Sequence, residues 1–176
     1  DQYDDQNHGL NLMLNKLQQL KKTTLIVADT GDINAIKEFQ PHDVTTNPSL
    51  LLQALQLPEY QSLLDEARTR IKKQHKQTGL AHVVDQLIVS IGAEIVNIIP
   101  GYISTEIDSR LSFDISGTVK RANNLINLYQ DRGISRDRVL IKIAATWEGI
   151  KAAEILEQQG IHCNLTLIFS LPQAVA

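Results

Sequence analysis

Five short apolar runs rich in β-branched residues, each separated from the next by helical periodicity, constrain this chain more than any other feature. They occupy residues 24–29, 44–46, 102–107, 138–144 and 163–169. Strands spaced in this way predict parallel pairing, because only a crossover helix returns the chain in the same direction. Between the runs, residues 33–39 read as a short helix that Thr30-Gly31-Asp32 can cap, and Pro41 stops it. Asn47-Pro48 opens another, with Asn as N-cap and Pro in the first turn, and Pro58 interrupts it. A further helix carries Tyr60, Leu63, Leu64, Ala67 and Ile71, and Gly79 closes that region. The clearest helical stripe is Leu80, Val83, Leu87, Ile91 and Ile95 in residues 80–99. Helices are also predicted through Val119, Ala122, Leu125, Ile126 and Tyr129, and over 147–159. An extra N-terminal helix is predicted over 10–22, from Leu10, Met13, Leu14, Leu17 and Leu20.

A chain of 176 residues holds one domain with a sizeable core. Residues 1–9 form a polar tail that lacks the basic and apolar regions of a signal peptide, and a chain that begins with Asp is not expected to start at its translation start. Residues 10–176 form the domain. A net charge of −3 supplies no basic field for nucleic acid or an anionic membrane. The cluster Arg68, Arg70, Lys72, Lys73 and Lys76 has no interleaved aromatics and reads as a solvated helix face. Residues 81–99 are apolar but contain His82, Asp85, Gln86, Glu94 and Asn97, which excludes a membrane span. Cys163 is the single cysteine, so a reducing, cytoplasmic setting is expected.

The polar residues decide between a doubly wound sheet and a β/α barrel. Side chains alternate faces along a strand. Over residues 139–144, Val139, Ile141 and Ile143 form one face suited to packing against helices, which leaves Lys142 with Leu140 and Ala144 on the other. Ser104 and Glu106 share a face opposite Ile103 and Ile107, and Asn164 and Thr166 oppose Leu165 and Leu167. Asp29 is in phase with Val27, and Thr45 with Asn47. Every strand thus carries polar groups on one face near its carboxyl end, where barrel enzymes build their sites. A sheet sandwiched between helices gives a lysine no place, since uncompensated charge is costly there.

Lys142 is the sharpest of these residues. Burial favours the neutral amine, the form that attacks a ketone carbonyl to give a carbinolamine and then an iminium. A lysine snorkelling at a sheet edge is the plain alternative. Asp29 and Glu106 suit proton transfer in separate steps; the plain alternative for Asp29 is a cap or an Asx-turn with Gly31, and for Glu106 a structural ion pair with Lys142. Asn47 is explained by helix capping alone, or caps through its backbone while its amide faces a substrate. Ser104, Asn164 and Thr166 can be ordinary core polar groups, and Thr146 reads first as an N-cap. The histidines show no metal-binding spacing, and neither a phosphate loop nor a nucleophile elbow is present. The sequon Asn164-Leu165-Thr166 lies inside a predicted strand and carries no weight.

Val27-Ala28-Asp29-Thr30-Gly31-Asp32, Thr45-Thr46-Asn47-Pro48-Ser49, Ile103-Ser104-Thr105-Glu106-Ile107-Asp108-Ser109-Arg110-Leu111-Ser112, Ile141-Lys142-Ile143-Ala144-Ala145-Thr146-Trp147-Glu148-Gly149-Ile150 and Cys163-Asn164-Leu165-Thr166-Leu167-Ile168-Phe169-Ser170 resemble successive motifs of the transaldolases, in family order and spacing. The resemblance runs from about Leu14 to the C-terminus. It implies a class I, Schiff-base enzyme of the pentose phosphate pathway on a parallel (β/α)8 TIM barrel. Such an enzyme moves a dihydroxyacetone unit from sedoheptulose 7-phosphate or fructose 6-phosphate to an aldose phosphate. By resemblance, Lys142 forms the Schiff base and Asp29 takes the proton of the donor's C4 hydroxyl. Glu106 with Thr166 orients a water, and Asn47, Ser104 and Asn164 hold the dihydroxyacetone hydroxyls. The iminium is the electron sink, so the resemblance implies neither metal nor organic cofactor. It implies sugar phosphates as partners and is compatible with a homodimer of the full-length protein.

One departure is Ala145, where many relatives carry serine. The larger one is length, since a β/α barrel takes about 250 residues and eight strands. The five strands here predict an incomplete barrel without strands six to eight or the family's phosphate-gripping arginines. Such a chain is expected to be inactive alone and to expose unpaired edges. The alternatives are a Schiff-base fructose-6-phosphate aldolase that releases the three-carbon unit, and a non-catalytic barrel fragment that only binds a partner.

Overall fold

The computed structural model describes residues 14–73 and 80–176. The polar tail, the start of the predicted first helix, Gly79 and Lys76 lie outside the described residues. What is described of that helix is α1 (Lys16–Leu20), which begins in a capping box: Asn15 Oδ1 accepts from Gln18 N–H at 2.8 Å, and Gln18 Oε1 accepts from Asn15 N–H at 3.0 Å. Lys21 Nζ reaches the carbonyls of Phe39 and Gln40 and ties this segment to the end of the next helix.

Five strands form one parallel sheet in sequence order: β1 (Val27–Asp29), β2 (Asp43–Thr45), β3 (Ile103–Glu106), β4 (Val139–Ala144) and β5 (Cys163–Thr166). The sheet curls into a half-barrel with helices on its outer side, an incomplete β/α barrel. The crossovers are α2 (Ile33–Phe39), then α3 (Pro48–Ala54), α4 (Gln61–Lys73) and α5 (Leu80–Val96) together, then α6 (Ile115–Gln130) and α7 (Trp147–Gln158). A last short helix, α8 (Leu171–Val175), follows β5.

The alternation on β4 has the parity expected from the sequence. Val139, Ile141 and Ile143 are buried, whereas Leu140, Lys142 and Ala144 are only half-buried on the concave face. The buried set joins Val44, Ile103, Leu125, Tyr129 and Leu156 in a core between the sheet and its helices. That core supplies most of the driving force for folding, and it holds the backbone on which the concave face is displayed. Local chemistry fixes the helix starts. Asp32 Oδ1 accepts from Asn34 N–H at 2.9 Å, Asn47 Oδ1 from Leu50 N–H at 2.9 Å, and Thr146 Oγ1 from Gly149 N–H at 2.9 Å. Gly160 ends α7 at a φ of 71°, a conformation that costs glycine nothing.

Two strands fall three residues short of the runs read in the sequence. The run 24–29 enters the sheet only at Val27, as the outermost strand of the five. The run 163–169 leaves it at Thr166, because Leu167 takes a φ of 62°, which no strand accommodates. Gln173 Nε2 then donates to the carbonyls of Ala145 at 2.9 Å and Leu167 at 3.1 Å, folding the tail over the end of β4. Exposed apolar side chains gather at these two open ends of the sheet: Leu25 and Val27 at one, Leu167, Phe169, Leu171 and Val175 at the other.

Candidate active site

Cα partners on adjacent parallel strands present their side chains on the same face. The register therefore builds the concave face in rows. Asp29 lies beside Thr45, Thr45 beside Ser104, and Ser104 beside Leu140. One step toward the carboxyl ends, Glu106 lies beside Lys142 and Lys142 beside Asn164, with Ala144 beside Thr166 beyond. All of the strand residues singled out from the sequence fall on this one face.

Lys142 Nζ lies 3.8 Å from Glu106 Oε2, with the two side chains 14% and 21% exposed. Burial raises the pKa of Glu106 above the ordinary carboxylate range; Lys142 pulls it back and Asp29 adds to the rise. Asn164 Nδ2 donates to Ser104 Oγ at 3.1 Å, bridging β3 and β5 across the lysine strand. Thr45 Oγ1 donates to Asp29 Oδ1 at 2.8 Å. Asp29 is not a helix cap: Asp32 takes that role for α2. Thr166 is half-buried at the carboxyl end of β5. Asn47 spends its side-chain oxygen, rather than its backbone alone, on the cap of α3, which leaves its Nδ2 for other work. Thr146 caps α7 and also donates to the Ser112 carbonyl, so the loop after β3 is strapped to the exit of the lysine strand.

The sequence assigned no role to Thr45. The signal was its phase with Asn47, and its partner became visible only with the β1–β2 register. Among the described residues no cluster of His, Cys, Asp and Glu is suited to a metal ion. The concave face offers an amine, a carboxyl group held close to it, a second carboxylate with one oxygen occupied, and short polar side chains to grip hydroxyls. That set can make an imine and move protons around it.

Glu106 sits where burial works against its charge. Because its folded-state pKa is raised, the folded protein binds this proton more tightly than the unfolded chain does. The resulting penalty is absent below the ordinary carboxylate pKa and grows as pH rises through the folded value. Glu106→Gln is therefore expected to raise the melting temperature at neutral pH, with the gain vanishing in acid. Thermal melts at two pH values check this, and a variant less stable at neutral pH would contradict it.

Residues 26–176 match the family described as Transaldolase/Fructose-6-phosphate aldolase. The chain belongs to this family. It is 58% identical over 166 residues to a protein named Transaldolase from Marinomonas sp. (strain MWYL1), and 55% identical over 166 residues to one of the same name from Vibrio vulnificus (strain YJ016). A Transaldolase from Actinobacillus pleuropneumoniae serotype 3 (strain JL03) is 54% identical over 165 residues. Each match covers 93% of this chain and 52% of the relative, so the chain spans about half the length of the curated relatives it matches. Within this transaldolase and aldolase family, five parallel strands form the part of the barrel present here.

Proposed function

We propose that the family-length protein containing this chain is a transaldolase that works through a Schiff base on Lys142. The observation that carries this reading is a lysine on the concave face, 14% exposed and 3.8 Å from a carboxyl group whose affinity for protons burial has raised. The amine adds to the donor's C2 carbonyl, and loss of water gives the iminium. Asp29 takes the proton from the C4 hydroxyl as the C3–C4 bond breaks. The bond's electrons flow to the iminium nitrogen, leaving an enamine on Lys142 and releasing an aldose phosphate. The enamine then attacks the acceptor aldehyde, whose oxygen takes the proton back from Asp29, and water hydrolyses the new imine to free the Lys142 amine and the product ketose. Glu106, with Thr166, orients the water that enters and leaves, while Asn47, Ser104 and Asn164 hold the dihydroxyacetone hydroxyls. A cytoplasmic setting goes with this reading, because sugar phosphates are the partners. The five described strands leave both outer edges without a neighbour in the sheet, so turnover is assigned to the family-length protein and not to this 176-residue chain alone.

The family description covers a transferase and an aldolase, whereas the relatives named above are transaldolases, which favours transfer. With fructose 6-phosphate as donor, the family-length protein should consume it rapidly only when an aldose phosphate acceptor is present. Release of free dihydroxyacetone at the same rate with and without acceptor would overturn transfer in favour of the aldolase.

A further inference from the structure

We infer that Thr45 is a positioning residue for the proton transfer at Asp29; this rests on the Schiff-base reading above and adds to it a residue with no assigned part. Asp29 is the last residue of the outermost strand, with its side chain on the concave face and exposed. A carboxylate there has several rotamers open to it unless something selects one. Among the described residues, Thr45 is the side chain that donates to it, at 2.8 Å to Oδ1.

Thr45 also holds the backbone beside it. The two residues are Cα partners, and the Thr45 carbonyl accepts from Thr30 N–H, just after Asp29, at 3.1 Å. One residue thus fixes both the strand end and the carboxylate that projects from it. An ionised carboxylate accepts only, so the hydroxyl must be the donor. Its bond occupies Oδ1 and leaves Oδ2 to receive the C4 hydroxyl proton. That proton moves from substrate oxygen to Oδ2 while C3–C4 breaks, and the Thr45 bond stays in place throughout. Thr45 touches no reacting atom in this scheme. It acts by keeping the acceptor oxygen aimed, and misplacement by about 1 Å can cost on the order of 100-fold in rate.

The test is made in the family-length protein. Thr45→Val should lower kcat by about 10–100-fold and leave KM for the donor within about twofold. Borohydride trapping on Lys142, counting uncleaved-donor and three-carbon adducts together, should be unchanged, since imine formation does not use Asp29. Thr45→Ser should recover most of kcat. Should the valine variant misfold, Thr45→Ser and Thr45→Ala make the decisive pair, because both lose the methyl group and only alanine loses the hydroxyl. A folded valine variant with unchanged kcat, a serine variant no better than alanine, or trapping that falls in step with kcat would each overturn the inference. Absence of trapping in the unsubstituted protein would instead strike the Schiff-base reading itself.

Discussion

Lys142→Met in the family-length protein should lose turnover by about 10,000-fold or more, because the amine proposed to form the covalent intermediate is gone. Methionine is unbranched and fills irregular apolar space well, so the concave face should keep its packing. Removing the amine also removes the cation that holds the Glu106 proton affinity down, so Glu106 becomes easier to protonate and no unpaired charge is stranded. The melting temperature should therefore stay within a few degrees of the parent. Lys142→Arg separates nucleophile from charge: guanidinium keeps the positive charge but never supplies a neutral amine. Turnover assays should find both variants inactive. Residual activity confined to the arginine variant would mean that a cation beside Glu106 is enough, which the proposed chemistry does not allow.

The largest stability loss is expected away from the concave face, between α5 and α6. Asp85 on α5 is 2% exposed and ion-paired with Arg121 on α6, while Asn124 Nδ2 donates to its other oxygen at 3.2 Å. Its Oδ1 has no aligned hydrogen bond and meets the guanidinium as a charge contact alone. Burial raises the Asp85 pKa, and Arg121 is the largest influence opposing that rise. Arg121→Met leaves a buried carboxylate facing one amide, which should cost about 3–5 kcal/mol, on the order of 10 °C in melting temperature. The double variant Asp85→Leu, Arg121→Met should recover most of that loss, because the stranded charge goes with its partner. Thermal melts of the two variants decide it. A single variant as stable as the parent would show that the pair contributes nothing.

These two predictions also mark what was legible in the chain and what was not. Lys142 could be placed on the concave face from Val139, Ile141 and Ile143 alone, because a strand has a period of two and only one face can bury β-branched side chains. Asn47-Pro48 announced a helix start through chemistry local to four residues. Asp85 and Arg121 gave no such signal. Asp85 read only as a charge that rules out a membrane span, and its pairing with Arg121 depends on how two helices pack and not on any spacing along the chain. Arg138 is similar: it donates to the carbonyls of Gly101 at 2.7 Å and Ile99 at 2.8 Å, closing the end of α5 from a residue far along the sequence. The early exit of β5 was hidden as well, because Leu167 belongs to an apolar run that predicts a continuing strand, and its left-handed backbone accompanies a tail contact from Gln173 that no strand pattern announces. Thr45 lies between these cases. Its phase was readable, but its bond to Asp29 needed the register of two strands.

The most direct measurement is borohydride reduction of the family-length protein in the presence of fructose 6-phosphate, followed by intact-mass analysis and peptide mapping. One reduced three-carbon unit per chain is expected, carried by the peptide that contains Lys142 and missing from the Lys142→Met variant. A folded protein that gains no mass, or an adduct mapped to Lys120 or Lys151 instead, would contradict a Schiff base at this strand.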